Sequence, residues 1–69
     1  MDEKAYLVFL DHGDGKCAIL GIADQEEHAF RIAEELGERH NPALCINAYP
    51  FNRACDTCDV EYIYFTDIA

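Results

Sequence analysis

The chain has 69 residues, 51% of them hydrophobic, and its 14 Asp and Glu outweigh 5 Lys and Arg for a formal net charge of −9. That length makes a single domain, residues 1–69, which buries only about 60% of the surface its unfolded chain exposes and leaves little room for a deep pocket beside a core. The hydrophobic fraction excludes a disordered chain, and no apolar run approaches the roughly 20 residues of a membrane helix.

Residues 4–10, KAYLVFL, read as a strand. Ala5, Leu7 and Phe9 take one face and Tyr6, Val8 and Leu10 the other, so both faces are apolar and the strand is central. Asp11-His12-Gly13-Asp14-Gly15 is a turn cluster between apolar runs, the signature of a β-hairpin. Residues 16–22, KCAILGI, are the return strand.

The stretch Asp24–Arg39, DQEEHAFRIAEELGER, then changes period. Stepped at about 100° per residue, Ala29, Ile32, Ala33 and Leu36 fall on one side. Glu27, Glu34 and Glu38 fall opposite, with Glu35 and Arg31 beside them. An amphipathic helix is expected, with Asp24 as N-cap and Glu27 completing a capping box. The acids of its first turn suit the positive end of the helix dipole. Glu27–Arg31 and Glu35–Arg39 are spaced for ion pairs. Gly37 weakens the last turn, and His40-Asn41-Pro42 ends the helix, because a residue before proline avoids the α region.

Residues 43–49 (ALCINAY) alternate as a third strand. Leu44, Ile46 and Ala48 share one face, and Cys45, Asn47 and Tyr49 the other. Pro50 ends this strand or marks an edge. Residues 51–59 form a loop. Residues 60–68 form a fourth strand, with Ile63 and Phe65 on one face and Tyr62 and Tyr64 on the other. The expected fold is α+β, ββαββ: a four-stranded, mostly antiparallel sheet with one helix packed on one face. One helix covers one face only. Tyr6, Val8, Leu10, Ala18, Leu20, Tyr62 and Tyr64 exceed what fits beneath it. Either the strands curl around their own side chains, or the second face is partly apolar and exposed, as at an interface or a homodimer contact.

The candidate chemistry is sparse. Cys55-Asp56-Thr57-Cys58 has the spacing of half a zinc site, yet no second pair completes it. A strand rather than a helix follows, and the nearby aspartates raise thiol pKa, which argues against redox chemistry. Cys17 and Cys45 lie within strands and read as small apolar residues. His12, His28 and His40 stand at no metal spacing. No nucleophile elbow, HExxH, calcium loop or phosphate-cradling glycine loop occurs. A non-enzymatic protein with no catalytic residues, no metal and no cofactor is therefore expected. The acidic start MDEKAYLVFL lacks the basic stretch and cleavage site of a signal peptide, so the expected location is the cytoplasm.

The charge gives the leading functional expectation. A field of −9 repels nucleic acid and anionic membranes and attracts basic partners; a bland solvating surface is the competing explanation. Carboxylates along a helix and adjoining loops can imitate a phosphate track. Glu27, Glu34, Glu35 and Glu38 would carry the helical part, extended by Asp11 and Asp14 or by Asp56, Asp59 and Glu61. Small size, this charge, the ββαββ order around ADQEEHAFRIAEELGER and the absence of catalytic residues together resemble the small acidic anti-CRISPR proteins of phages. The resemblance covers the chain by composition and element order and carries over no individual residue. It implies a DNA mimic that inhibits a type I CRISPR surveillance complex in the host cytoplasm by blocking its basic DNA channel. The alternative is a small metal-binding or accessory domain using Cys55 and Cys58, in a homodimer.

Overall fold

A computed structural model describes residues 3–13, 15, 17–52, 54 and 56–65. The elements are β1 (Lys4–Asp11), β2 (Cys17–Ala23), α1 (Glu26–Glu35), β3 (Leu44–Pro50) and β4 (Glu61–Phe65), with a 3-10 turn over Thr57–Asp59. They build one sheet in the order β2-β1-β3-β4, and every neighbouring pair is antiparallel. The ββαββ expectation therefore holds, and β1 lies inside the sheet as its two apolar faces require. β2 and β3 run the same way with β1 between them. The helix makes the crossover from the end of β2 to the start of β3, a connection too long for a hairpin.

One face of the sheet is sealed by α1. Val8 and Leu10 of β1, Leu44 and Ile46 of β3, Ala23 of β2, and Ala29 and Ala33 of α1 form the buried core. Tyr6, Leu20, Phe30, Ile32, Ile63 and Tyr64 pack around it half-buried. Val8, Leu44 and Ile46 are the largest fully buried side chains, each contributing about 1.5–3 kcal/mol of transfer free energy. The small side chains of Ala29 and Ala33 let the helix lie close to the strands. Gly21 continues that fit: a Cβ there would stand 3.1 Å from Cγ2 of Ile32. Gly21 sits at an irregularity opposite Val8 and Phe9, where the bulge turns both Leu20 and Gly21 toward the helix.

The helix differs from its expected span at both ends. Gln25, not Asp24, is the N-cap, and it makes no side-chain capping bond. Asp24 Oδ1 instead meets His28 Nδ1 at 2.9 Å, four residues on, so the expected capping box does not form. At the other end Gly37, with φ at +73°, stops the helix five residues before Pro42. Gly37 N–H bonds to Glu34 O at 3.0 Å and Glu38 N–H to Ala33 O at 2.9 Å, the paired bonds of a Schellman ending. Leu36 is the C-cap and is exposed, outside the apolar stripe to which its angle assigned it. Glu38 and Arg39 lie beyond the helix, so Glu35–Arg39 is no helical pair. No ion pair joins Glu27 to Arg31 among the described residues.

β4 also departs from simple alternation. Its register against β3 shifts between Ile46 and Asn47. Ile63 and Tyr64 both turn to the core side, and Tyr62 and Phe65 share the open side. The expected pairing of Ile63 with Phe65 and of Tyr62 with Tyr64 is thereby corrected. The rest of that reading, residues 66–68, lies outside the described residues.

Candidate functional site

Two surfaces stand back to back on this scaffold, and their chemistry is opposite. The helix layer is acidic. Glu26, Glu27, Glu34 and Glu35 are all exposed on α1. Helical spacing sets Glu27, Glu34 and Glu35 on its outward side, with exposed Arg31 among them. None of the four glutamates has an ion-pair partner among the described residues. Glu26 and Glu27 also complement the amino end of the helix dipole.

The remaining predicted carboxylates are differently employed. Glu38 is half-buried and accepts a 2.6 Å bond from Asn41 Nδ2, while Asn41 Oδ1 accepts from Ala43 N–H at 2.8 Å. Glu38 thus holds the turn into β3 and does not belong to the helical stripe. Asp56 and Asp59 are brought together in one turn, where Asp59 Oδ2 accepts from Asp56 N–H at 3.1 Å and Asp56 O accepts from Asp59 N–H at 2.9 Å. Glu61 is paired with Lys4 across β3. Asp11 lies on the other side of the sheet, at its rim, and Oδ1 accepts from Gly13 N–H at 3.0 Å to shape the hairpin turn. Asp14 lies outside the described residues. Of the nine carboxylates expected to bind, the structure groups three on the helix face and two in one turn.

The open sheet face is apolar from edge to edge. Cross-strand partners share a face, which sets Ile19 and Ile22 of β2 beside Ala5, Leu7 and Phe9 of β1. These adjoin Cys45, Asn47 and Tyr49 of β3, then Tyr62 and Phe65 of β4. Ile19 and Ile22 are each 67% exposed, Tyr62 64% and Phe65 61%. Of the two expected alternatives the exposed apolar second face is the one seen, with mostly different members: Tyr6, Val8, Leu10, Leu20 and Tyr64 pack at the core, Ala18 is exposed on the edge strand opposite Leu10, and Tyr62 lies on the open face. Asn47, buried, donates from Nδ2 to Tyr49 Oη at 3.1 Å, so its amide is satisfied within the face. Among the described residues, charged side chains stand at the rims of this face, Asp11 at one end and Glu3, Lys4 and Asp24 at the other. Two open hollows mark this face. One of about 420 Å3 lies among Phe9, Asp11, Cys45, Asn47, Tyr62 and Phe65. One of about 500 Å3 lies by Ala5, Ile22 and Phe51.

Of the described thiols, Cys45 lines the hollow beside Phe9 and Tyr62. Burial pushes the Cys45 thiol above its ordinary pKa, and the negative charges of Asp11 and Cys17 push it further. Its Sγ lies 3.7 Å from Ala43 O. Cys17 and Cys58 are exposed. Cys55 lies outside the described residues, so the Cys55–Cys58 pairing is not part of this geometry. Among the described residues, no group of three or more His, Cys, Asp or Glu converges as a metal site. No helix is long and apolar enough to cross a membrane. Comparison of the chain with protein-family models, with curated proteins and with solved structures found no match.

Proposed function

We propose that this chain is a non-enzymatic protein-binding module whose acidic helix layer occupies a basic, nucleic-acid-binding surface on a partner protein. The observation that carries the reading is the set Glu27, Glu34 and Glu35, exposed together on the outward side of α1 without an ion-pair partner among the described residues. Carboxylates left in water keep their charge for a partner, and long-range attraction raises the rate of encounter. Glu27 and Glu34 are seven residues apart, about 10 Å along the axis at the helical rise. That spacing follows a phosphate track coarsely, so the mimicry lies in summed charge more than in atom-for-atom register.

The specific form of the proposal is an anti-CRISPR of phage origin that covers the DNA-binding channel of a type I surveillance complex, acting in the host cytoplasm. Target-DNA binding by such a complex, measured with the purified chain added, tests it. Addition should displace the DNA at low salt, and rising salt should weaken the displacement as the charges are screened. Glu34→Lys with Glu35→Lys should weaken inhibition by about tenfold or more. The fold should survive, because lysine is a good helix former and suits the carboxyl end of the dipole. DNA binding undisturbed at low salt by the unaltered chain would remove this reading.

A further inference from the structure

We infer that the open sheet face is the contact of a symmetric homodimer, two copies stacked sheet to sheet with their helices outermost. The inference is independent of what the acidic layer binds.

Area gives the first argument. Side chains the size of Ile19, Ile22, Tyr62 and Phe65, exposed by about two-thirds, each present roughly 100 Å2 or more. With the smaller exposed parts of the partly buried Leu7, Phe9 and Tyr49, the face reaches or exceeds the roughly 300–600 Å2 of the largest patch on an ordinary monomer. It approaches the roughly 800 Å2 per partner of a standard specific interface.

Charge supplies the second argument and selects the occupant. Two chains of −9 repel each other unless they meet where charge is missing and keep their charged layers apart. Among the described residues, the middle of this face carries no charged side chain. Stacked sheets lie about 10 Å apart, and each helix adds a layer of about 10 Å, so the two helix axes stand about 30 Å apart. That is about three screening lengths at 0.1 M salt, and the glutamate layers scarcely sense each other. A basic partner has less reason to choose this face, since the exposed helix carboxylates Glu27, Glu34 and Glu35 that would attract it lie on the opposite layer.

Self-complementarity is the third. The aliphatic edge, Ile19 and Ile22 on β2, and the aromatic edge, Tyr62 and Phe65 on β4, lie at opposite sides of the sheet. A two-fold axis parallel to the strands lays each copy's aliphatic edge on its partner's aromatic edge, twice over, as an isologous contact requires.

Sedimentation measured from micromolar to millimolar concentration tests the inference. The species should have twice the 7.8 kDa mass of the chain. Ile22→Asp and Tyr62→Asp should each raise the dimer dissociation constant roughly a hundredfold. Leu36→Asp, at an exposed position on the helix layer, should leave it unchanged. If either face variant fails to fold, dilution of the unaltered chain followed by NMR replaces it. Signals of Ile19, Ile22, Tyr62 and Phe65 should shift while Leu36 stays fixed. A monomer at millimolar concentration, a dimer that survives both face substitutions, or dilution shifts confined to other residues would overturn the inference.

Discussion

Phe30 of the helix meets Tyr64 of the last strand edge to face, with ring centroids 5.7 Å apart and planes at 79°. The contact ties the helix to the far edge of the sheet, beyond the strands its alanines cover. The Arg39 guanidinium lies 4.8 Å from the centre of each ring, so one cation closes both against solvent. Arg39→Ala should lower unfolding free energy by about 0.5–2 kcal/mol in chemical denaturation. Arg39→Lys should recover only part of that, because an ammonium lacks the planar stacking surface of the guanidinium.

Gly21 and Ile32 define how near the helix comes to β2. With Cδ1 of Ile32 at 3.2 Å from the place a Cβ would occupy, Gly21→Val forces the helix outward or Ile32 off its rotamer. A loss of about 1–3 kcal/mol is expected. Ile32→Ala in the same chain should return part of it, giving a coupling of about 0.5 kcal/mol or more in a double-mutant cycle. Strict additivity would show that the two sites do not press on each other.

Thiol reactivity should follow exposure and charge. Cys45, with its pKa raised by burial first and by Asp11 and Cys17 next, should react with a soluble disulfide reagent more slowly than the exposed Cys17 and Cys58. Asp11→Asn removes one negative neighbour and should speed Cys45, without changing Cys58. Mass spectrometry of the labelled chain at intervals reads all three.

Asp24 gives a pH dependence of defined sign. Its pKa is lowered, chiefly by the hydrogen bond with His28. A carboxylate whose folded pKa lies below its unfolded one adds stability above the unfolded value, and the addition is lost as pH falls through the folded value. Asp24→Asn should therefore lower Tm at neutral pH and make no difference once both pKa values lie above the pH. The effect is small, because the carboxyl is fully solvated.

Much of this fold was legible from periodicity. The two-residue alternation of ALCINAY and the helical spacing of Ala29, Ile32 and Ala33 each report a single local period, and a strand and a helix form there, the helix shorter than expected at both ends. The missed features depend on contacts that no period records. Pro42 drew the expected helix end too far along, when Gly37 adopts a positive φ and closes the helix with bonds to Glu34 and Ala33. The bulge opposite Ile46 and Asn47 shifts Tyr62 from one face to the other, and only pairing with β3 reveals it. For the candidate surfaces, the charge total was plain. Which carboxylates are free was not: Glu38 holds Asn41, Glu61 holds Lys4, and both partners are set by turns and cross-strand neighbours.

The position of β1 between β2 and β3 also orders events during synthesis. As the chain leaves the ribosome, β1 can zip onto β2 at once, but its other edge has no neighbour until the helix and then Leu44–Pro50 have emerged. For that interval the nascent chain exposes an apolar strand with unmet backbone donors, a target for chaperones and for stray pairing.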